Sequence, residues 1–278
     1  MRLLLAATTA LLLAGLPFAA AAGPDEDLEA YRDFFTRKFP DVPFHEFANG
    51  AYAIDPELRA NWVQIEEFPP YEPYINEGEA LFNTPFRNGG RYADCFPNRG
   101  IGIADRYPYW DRAKGVVVTL ELALQECRRA NGAEPLPGSK GPIASLQAYM
   151  AYTSRGNKTH VVVPEDDPRA LEAYNKGKAF YFSRRGQLNF ACNHCHFENA
   201  GRLLRTERLS PALGQTTHFP KYRSKWGAMG TLHRRFKGCN RQVRAAPFED
   251  QSEEYRNLEY FLTHMSNGIE LNGPGARK

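Results

Sequence analysis

The chain is 278 residues long, with 35 basic against 32 acidic side chains and a formal net charge of +3 at pH 7. No block of like charge stands out, which leaves no case for nucleic acid or a membrane surface as partner. Its 20 prolines and 23 glycines predict short helices joined by many loops.

Met1-Arg2 precedes an apolar run from Leu3 to Phe18, and Ala19-Ala20-Ala21-Ala22-Gly23 follows. A basic start, a short apolar stretch and small residues at its exit make residues 1–22 a secretory signal peptide. The run is too short to span a bilayer, and no later segment is long enough. The mature chain is therefore expected in the periplasm, where disulfides persist. About 255 residues remain after cleavage, room for two ordinary domains. Asp25 to Lys38 reads as an amphipathic helix with Leu28, Tyr31 and Phe35 on one face. From Phe39 to Tyr74 the chain is aromatic and proline-bearing without clear period. Residues 23–73 are accordingly read as an N-terminal extension, loop-rich from Phe39 onward.

Beyond it the sequence repeats itself. Set against Phe219–Gly268 at an offset of 112, Tyr107–Gly156 matches at eleven positions without a gap. They include Pro108/Pro220, Gly115/Gly227, Thr119/Thr231, Cys127/Cys239, Arg129/Arg241, Ser154/Ser266 and Gly156/Gly268. Upstream, Gly78-Glu-Ala80-Leu-Phe82 resembles Gly177-Lys-Ala179-Phe-Tyr181, with a length change between. Two copies of one unit follow, over 74–160 and 161–278.

In the second copy stands Cys192-Asn193-His194-Cys195-His196. Two cysteines flanking two residues with a histidine next is the attachment pattern of haem c. Each thiol adds to one vinyl group, and the adjoining imidazole becomes the proximal ligand. Zinc would need a second ligand pair, and a thioredoxin-like pair would leave His196 unexplained. The fold expected is mainly α, two tandem cytochrome c-like domains.

Asp167-Pro168 opens the first helix of copy two, lined by Leu171, Tyr174 and Tyr181. Ser252 opens the last, where Tyr255, Leu258, Leu262 and Met265 recur at helical spacing before Asn267-Gly268. Gly177 would let these two helices approach closely. Ile143–Arg155 is the matching last helix of copy one. Val161–Pro164 reads as a linker, and Glu270–Lys278 as a poorly ordered tail.

Where copy two has its motif, copy one has Cys95-Phe96-Pro97-Asn98-Arg99. It lacks the second cysteine and the histidine, so copy one cannot hold haem by this chemistry. With Cys192 and Cys195 committed, Cys95, Cys127 and Cys239 remain, and two of three can pair. A Cys95–Cys127 disulfide is the expectation, stapling a domain without porphyrin.

Above the iron, methionine is the ordinary ligand, and Met229 and Met265 lie downstream of the motif. Met265 falls on an apolar helical stripe; Met229 competes. Cys239 is favoured, as the odd cysteine following the motif whose counterpart stands in the haem-free copy. Arg235 precedes Cys239 by four residues and so shares its helical face. Its counterpart is Ala123, and its planar fork suits an oxyanion. Arg234, Lys237 and Arg244 rank lower.

Three stretches together resemble the SoxA family of sulfur-oxidation cytochromes. They are the CxxCH at Cys192–His196, R-x-x-x-C-N-x-Q-V-R-A-x-P from Arg235 to Pro247, and E-Y-x-x-L-E-Y from Glu254 to Tyr260. The resemblance covers both copies. It implies a periplasmic heterodimer with a smaller cytochrome, SoxX, that couples thiosulfate to a cysteine of the carrier protein SoxYZ and releases two electrons. That is an L-cysteine S-thiosulfotransferase. It further implies one haem c with His196 and Cys239 as axial ligands, Cys239 as a persulfide and catalytic sulfur, and Arg235 holding the anion. Some members carry a second haem, and Asn98 and Arg99 align this chain with the single-haem branch. Three rival readings are a plain electron-transfer cytochrome ligated by Met229, an enzyme that forms tetrathionate without a carrier, and a haem-stabilised interaction subunit whose chemistry lies in its partner.

Overall fold

The computed structural model describes residues 23–277, so the signal peptide expected over residues 1–22 lies outside the described residues. The organising helices are α1 (Pro24–Lys38), α2 (Pro56–Glu66), α3 (Glu72–Asn83), α4 (Leu120–Ala130), α5 (Pro142–Tyr152), α6 (Pro168–Phe182), α7 (Leu232–Gln242) and α8 (Glu253–His264). Short strands accompany them: β1 (Tyr109–Asp111), β2 (Val116–Val118), β3 (Lys221–Arg223), β4 (Ala228–Gly230) and β5 (Gly275–Arg277).

The repeat in sequence is a repeat in structure. β1, β2 and α4 recur as β3, β4 and α7 at the offset of 112. Thr119 caps α4 by accepting from the Leu122 amide, and Thr231 caps α7 by accepting from the Arg234 amide. Gly156 and Gly268 both end their helical segments at positive φ, +83° and +82°. α3 crosses α5 in the first unit, and α6 crosses α8 in the second. At each crossing a glycine faces backbone: Gly78 meets the Ser145 carbonyl, and Gly177 meets the Asn257 carbonyl.

Hydrophobic burial follows the same division. Phe82, Tyr92, Leu124, Ile143, Leu146 and Met150 form the core of the first unit. There Cys95 and Cys127 are joined by a disulfide with Cα atoms 5.8 Å apart. The bridge closes a loop 32 residues long, and chain-entropy reasoning values that at about 4 kcal/mol. The Cys95→Ala/Cys127→Ala protein is therefore expected to lose about 4 kcal/mol of stability in denaturant unfolding. The second unit's core joins Tyr174, Tyr181, Tyr255, Leu258 and Phe261 with Tyr31 and Phe35 of α1. Phe34 stacks on Phe197 at 3.7 Å, so the N-terminal helix docks beside the CxxCH segment.

Three expectations need correction. Residues 39–74 are not mostly loop: they hold a turn of 3-10 helix over Phe44–Asn49, a short helix over Ala51–Ile54, and α2. Asp55 caps α2 from the Leu58 amide at 3.1 Å, and Pro56 opens it. α2 buries none of its residues, so it carries no apolar stripe for periodicity to reveal. The tail is ordered as well. β5 pairs in parallel with β3, and Ala276 is buried. Val161–Pro164 is packed rather than slack, with Val161 and Val163 buried and the Val162 carbonyl accepting from Tyr260 Oη at 2.6 Å.

The two units meet twice. One face of the β4-β3-β5 sheet, with Met229 and Ala276, packs on Tyr71, Ile75, Ala144 and Ala148. Elsewhere the N-termini of α4 and α7 lie together. Glu121 and His233 occupy equivalent positions there, 3% and 1% exposed. Burial, opposed by His233, pushes the Glu121 carboxyl up to about 7. Burial works against a charged His233, yet Glu259 at 3.1 Å, with Glu121 and Asp250 beyond, raises its pKa. The Glu121 carboxyl holds its proton more tightly folded than unfolded, so its contribution is full at acid pH and is lost as pH rises from 4.5 to about 7. Glu121→Gln is expected to flatten that part of the stability slope between pH 4.5 and 8 by roughly 3 kcal/mol, read from denaturant midpoints.

Candidate functional site

The CxxCH segment lies on a widened turn. His194–Glu198 form one turn of π-helix, closed by the Asn199 amide on the His194 carbonyl at 3.2 Å. Such widened turns recur at functional sites, because the extra residue re-aims the side chains around it. The Ala191 amide donates to His194 Nδ1 at 3.0 Å, and Asn193 Nδ2 donates to Glu198 Oε1 at 2.7 Å. These bonds occupy the two middle residues and leave Cys192, Cys195 and His196 for other work.

His196 Nδ1 lies 3.0 Å from the Ser210 carbonyl oxygen and 3.0 Å from Gln215 Nε2. The ring is thus anchored through Nδ1, which leaves Nε2 as the nitrogen for a metal. Cys192 and Cys195 are free thiols despite their close spacing. Two unpaired thiols and an imidazole oriented through its far nitrogen fit covalent haem with His196 as proximal ligand.

Facing this segment, α7 carries Arg235 and Cys239 one turn apart. Cys239 is hydrogen-bonded to His196, so the two expected axial ligands oppose each other. Its thiol differs from the other two. Burial pushes Cys192 up to about 12 and raises Cys195 as well. Burial also works against a charged Cys239, but the Arg235 guanidinium, the His196 hydrogen bond and Arg223 outweigh it and bring its pKa down to about 6. Near neutral pH Cys239 is a thiolate, both a soft ligand and a nucleophile.

The lower-ranked candidates are engaged elsewhere. Arg234 Nη1 donates to the Met229 carbonyl at 2.9 Å and lies over the Trp226 ring at 4.3 Å. Lys237 pairs with Asp250 at 2.8 Å, and Arg244 is exposed in a turn at φ 57°. Met229 is fully buried on the sheet face that packs against the first unit, and Met265 lies in the core of the second. The Arg235 guanidinium, by contrast, makes no hydrogen bond or ion pair among the described residues.

Two further basic groups, Lys221 and Arg223, lie about the cysteine that sequence reasoning did not place there, with a third behind them. Lys221, Arg223 and Arg235 all act on one another and on Cys239, and Arg277 joins them through Lys221. Lys221 and Arg223 alternate on β3, which is a readable signal. Arg277 arrives from the far end of the chain with none.

Residues 77–159, the unit without a CxxCH, match the family described as SoxA/TsdA, cytochrome c domain. Across 99% of its length the chain is 62% identical to an L-cysteine S-thiosulfotransferase subunit SoxA of Allochromatium vinosum, spanning 98% of that protein. A protein of the same description from Chlorobaculum tepidum is 54% identical over 91% of this chain and 88% of that one. The crystal structure of SoxXA from P. pantotrophus superposes with a TM-score of 0.72 at 27% identity, over 82% of this chain and 86% of that one.

Proposed function

Because the chain belongs to the SoxA family of L-cysteine S-thiosulfotransferase subunits and carries covalently bound haem c, we propose that it joins thiosulfate to a carrier-protein cysteine in the periplasm. A SoxX-like cytochrome is its partner, a SoxYZ-like protein the carrier. Residues 161–278 are the haem-binding domain and 74–160 the haem-free one.

The reading is carried by one observation: a thiolate, Cys239, stands opposite the oriented His196 with an unpaired guanidinium one turn away. Cys192 and Cys195 would tether the haem, and His196 and Cys239 would hold its iron. When bound, the haem supplies a sink for electrons next to the Cys239 sulfur.

Arg235 binds the thiosulfate oxygens by charge-assisted hydrogen bonds and sets the outer sulfur toward Cys239. Cys239, as thiolate or persulfide, relays sulfur to the carrier. In the net reaction a sulfur–sulfur bond forms between thiosulfate and the carrier cysteine. The carrier thiol loses its proton, and two electrons leave for the partner cytochrome. Exposed Phe182, Phe190, Leu203 and Leu204 lie on segments flanking the CxxCH and give that partner an apolar face near the haem. The plain electron-transfer alternative needs Met229 on the iron, and Met229 lies on the far face of its sheet.

The test is turnover of thiosulfate with a carrier thiol, followed by mass measurement of the carrier. Arg235→Ala is expected to lower kcat/KM for thiosulfate by about 100-fold, with the absorption spectrum kept, and Arg235→Lys to restore part of it. An Arg235→Ala protein with unchanged kcat/KM would remove Arg235 from the site.

A further inference from the structure

We infer that Gln215 is a positioning residue for the proximal ligand: its side-chain amide holds the His196 ring through Nδ1 and so sets the reduction potential of the iron that Nε2 would bind. The inference rests on the proposed role of His196.

The loop over residues 209–217 meets His196 three times. The Ala212 amide donates to the His196 carbonyl at 2.9 Å. The Ser210 carbonyl lies 3.0 Å from Nδ1 of the ring, and Gln215 Nε2 lies 3.0 Å from the same nitrogen. Gln215 Nε2 also donates to Ser210 Oγ at 3.0 Å. The loop itself is fixed from two sides. The Gly214 amide donates to Ser266 Oγ, just beyond α8, at 3.1 Å. Gly214 stands at φ +72°, and a Cβ there would run into the Phe47 carbonyl of the N-terminal extension.

A backbone carbonyl can only accept, whereas a side-chain amide accepts at one end and donates at the other. With Nε2 given to a metal, Nδ1 carries the proton of the ring and needs acceptors. The Gln215 amide, turned end for end in the same space, offers Oε1 there, and the Ser210 hydroxyl then donates to that oxygen. Two oxygens on one N–H make the imidazole a stronger electron donor, which stabilises oxidised iron and lowers its potential. The first unit is the control. Ser154 Oγ accepts from the Ala104 amide at 3.0 Å as Ser266 Oγ does from Gly214, and the two serines are a matched pair of the repeat. Asp105 therefore stands where Gln215 stands. Its Oδ1 accepts from Asn157 Nδ2 at 3.0 Å, within the haem-free unit. Only in the unit with the CxxCH is the side chain at this place aimed at an imidazole.

The test is a redox titration of the haem-loaded mature protein with its partner cytochrome, followed by electron paramagnetic resonance so that each haem is read by its own g values. Gln215→Leu removes the acceptor and is expected to raise the midpoint by about 30 mV, a threefold change at about 59 mV per tenfold. Gln215→Glu strengthens the acceptor and is expected to lower the midpoint by at least as much. A merely structural role would not give the two variants opposite signs. Any other pattern, two shifts of one sign or none included, overturns the inference. Should either variant fail to load haem, Ser210→Ala decides, because it releases the amide and keeps the backbone carbonyl. A raised midpoint then supports the inference, and an unchanged or lowered one overturns it. His196→Ala separates the two possible failures. If it keeps the parent g values, the proximal assignment and the inference fall together. If it loses them, or the haem, while both Gln215 variants leave the midpoint unmoved, only the role of Gln215 falls.

Discussion

Cys239→Ala is expected to lower thiosulfate conjugation by at least about 1,000-fold while haem stays covalently attached. The two effects separate because they rest on different elements. On the proposed assignment, attachment belongs to Cys192 and Cys195 on the widened turn, and proximal ligation to His196, whose Nδ1 lies against the Ser210 carbonyl. None of these depends on α7. The proposed catalysis does, because Cys239 is the one unpaired thiol among the described residues that its surroundings keep anionic near neutral pH, at about 6 against about 12 for Cys192. Serine in its place keeps the volume but has no comparable anion to offer, so Cys239→Ser is expected to fail as alanine does. Mass spectrometry of the variant checks the haem adduct, its absorption spectrum reports the lost sulfur ligand, and turnover with the carrier reads the chemistry. Activity within about tenfold of the parent would reduce Cys239 to a structural thiol and return the chain to plain electron transfer.

Most of this site could be read from the sequence for a reason that belongs to the chain itself. A duplicated unit carries its own control: what both copies keep serves the fold, and what one copy keeps serves that copy. Thr119/Thr231 are helix caps in both, and Gly78/Gly177 both sit at helix crossings. Cys127 and Cys239 separate, one into a disulfide and one opposite His196. Arg235, with Ala123 as its counterpart, points to the site on the same logic. The control has no reach outside the repeat. α2 and β5 have no counterparts in the other copy, and each also lacks an internal signal. α2 has no buried stripe, and a strand of three residues is too short for alternation to show. Both therefore stayed invisible, although the Asp55-Pro56 pair carried the same start signal that revealed Asp167-Pro168. The caps were legible; the burial that would have given them weight comes from tertiary contacts.

Gly177→Ala is expected to destabilise the second unit by about 3 kcal/mol or more, against the normal preference for alanine in a helix. In an exposed helix interior that change stabilises by about 1 kcal/mol. Here the added Cβ would overlap the Asn257 carbonyl oxygen, come within 2.6 Å of its carbon and touch Phe261 Cβ at 3.0 Å. A carbonyl inside α8 cannot swing aside as a long side chain does, so α6 and α8 must part. Tyr174, Tyr181 and Phe261, all packed at this crossing, would lose contact together. Asn175→Ala, two residues away on the exposed side of the same helix, is the control and is expected to be neutral or slightly stabilising. Denaturant midpoints and haem content of the purified proteins give the readout, and a Gly177→Ala protein within about 0.5 kcal/mol of the parent would show a looser crossing. Gly78→Ala places the same methyl against the Ser145 carbonyl of the unit that has a disulfide in place of haem. The buried sheet face around Met229 and the Glu121–His233 contact tie the two units together, so both glycine variants are expected to lower one shared unfolding transition. Two separate transitions, each answering to its own glycine, would mean that the haem-free unit folds alone and lends α7 no support.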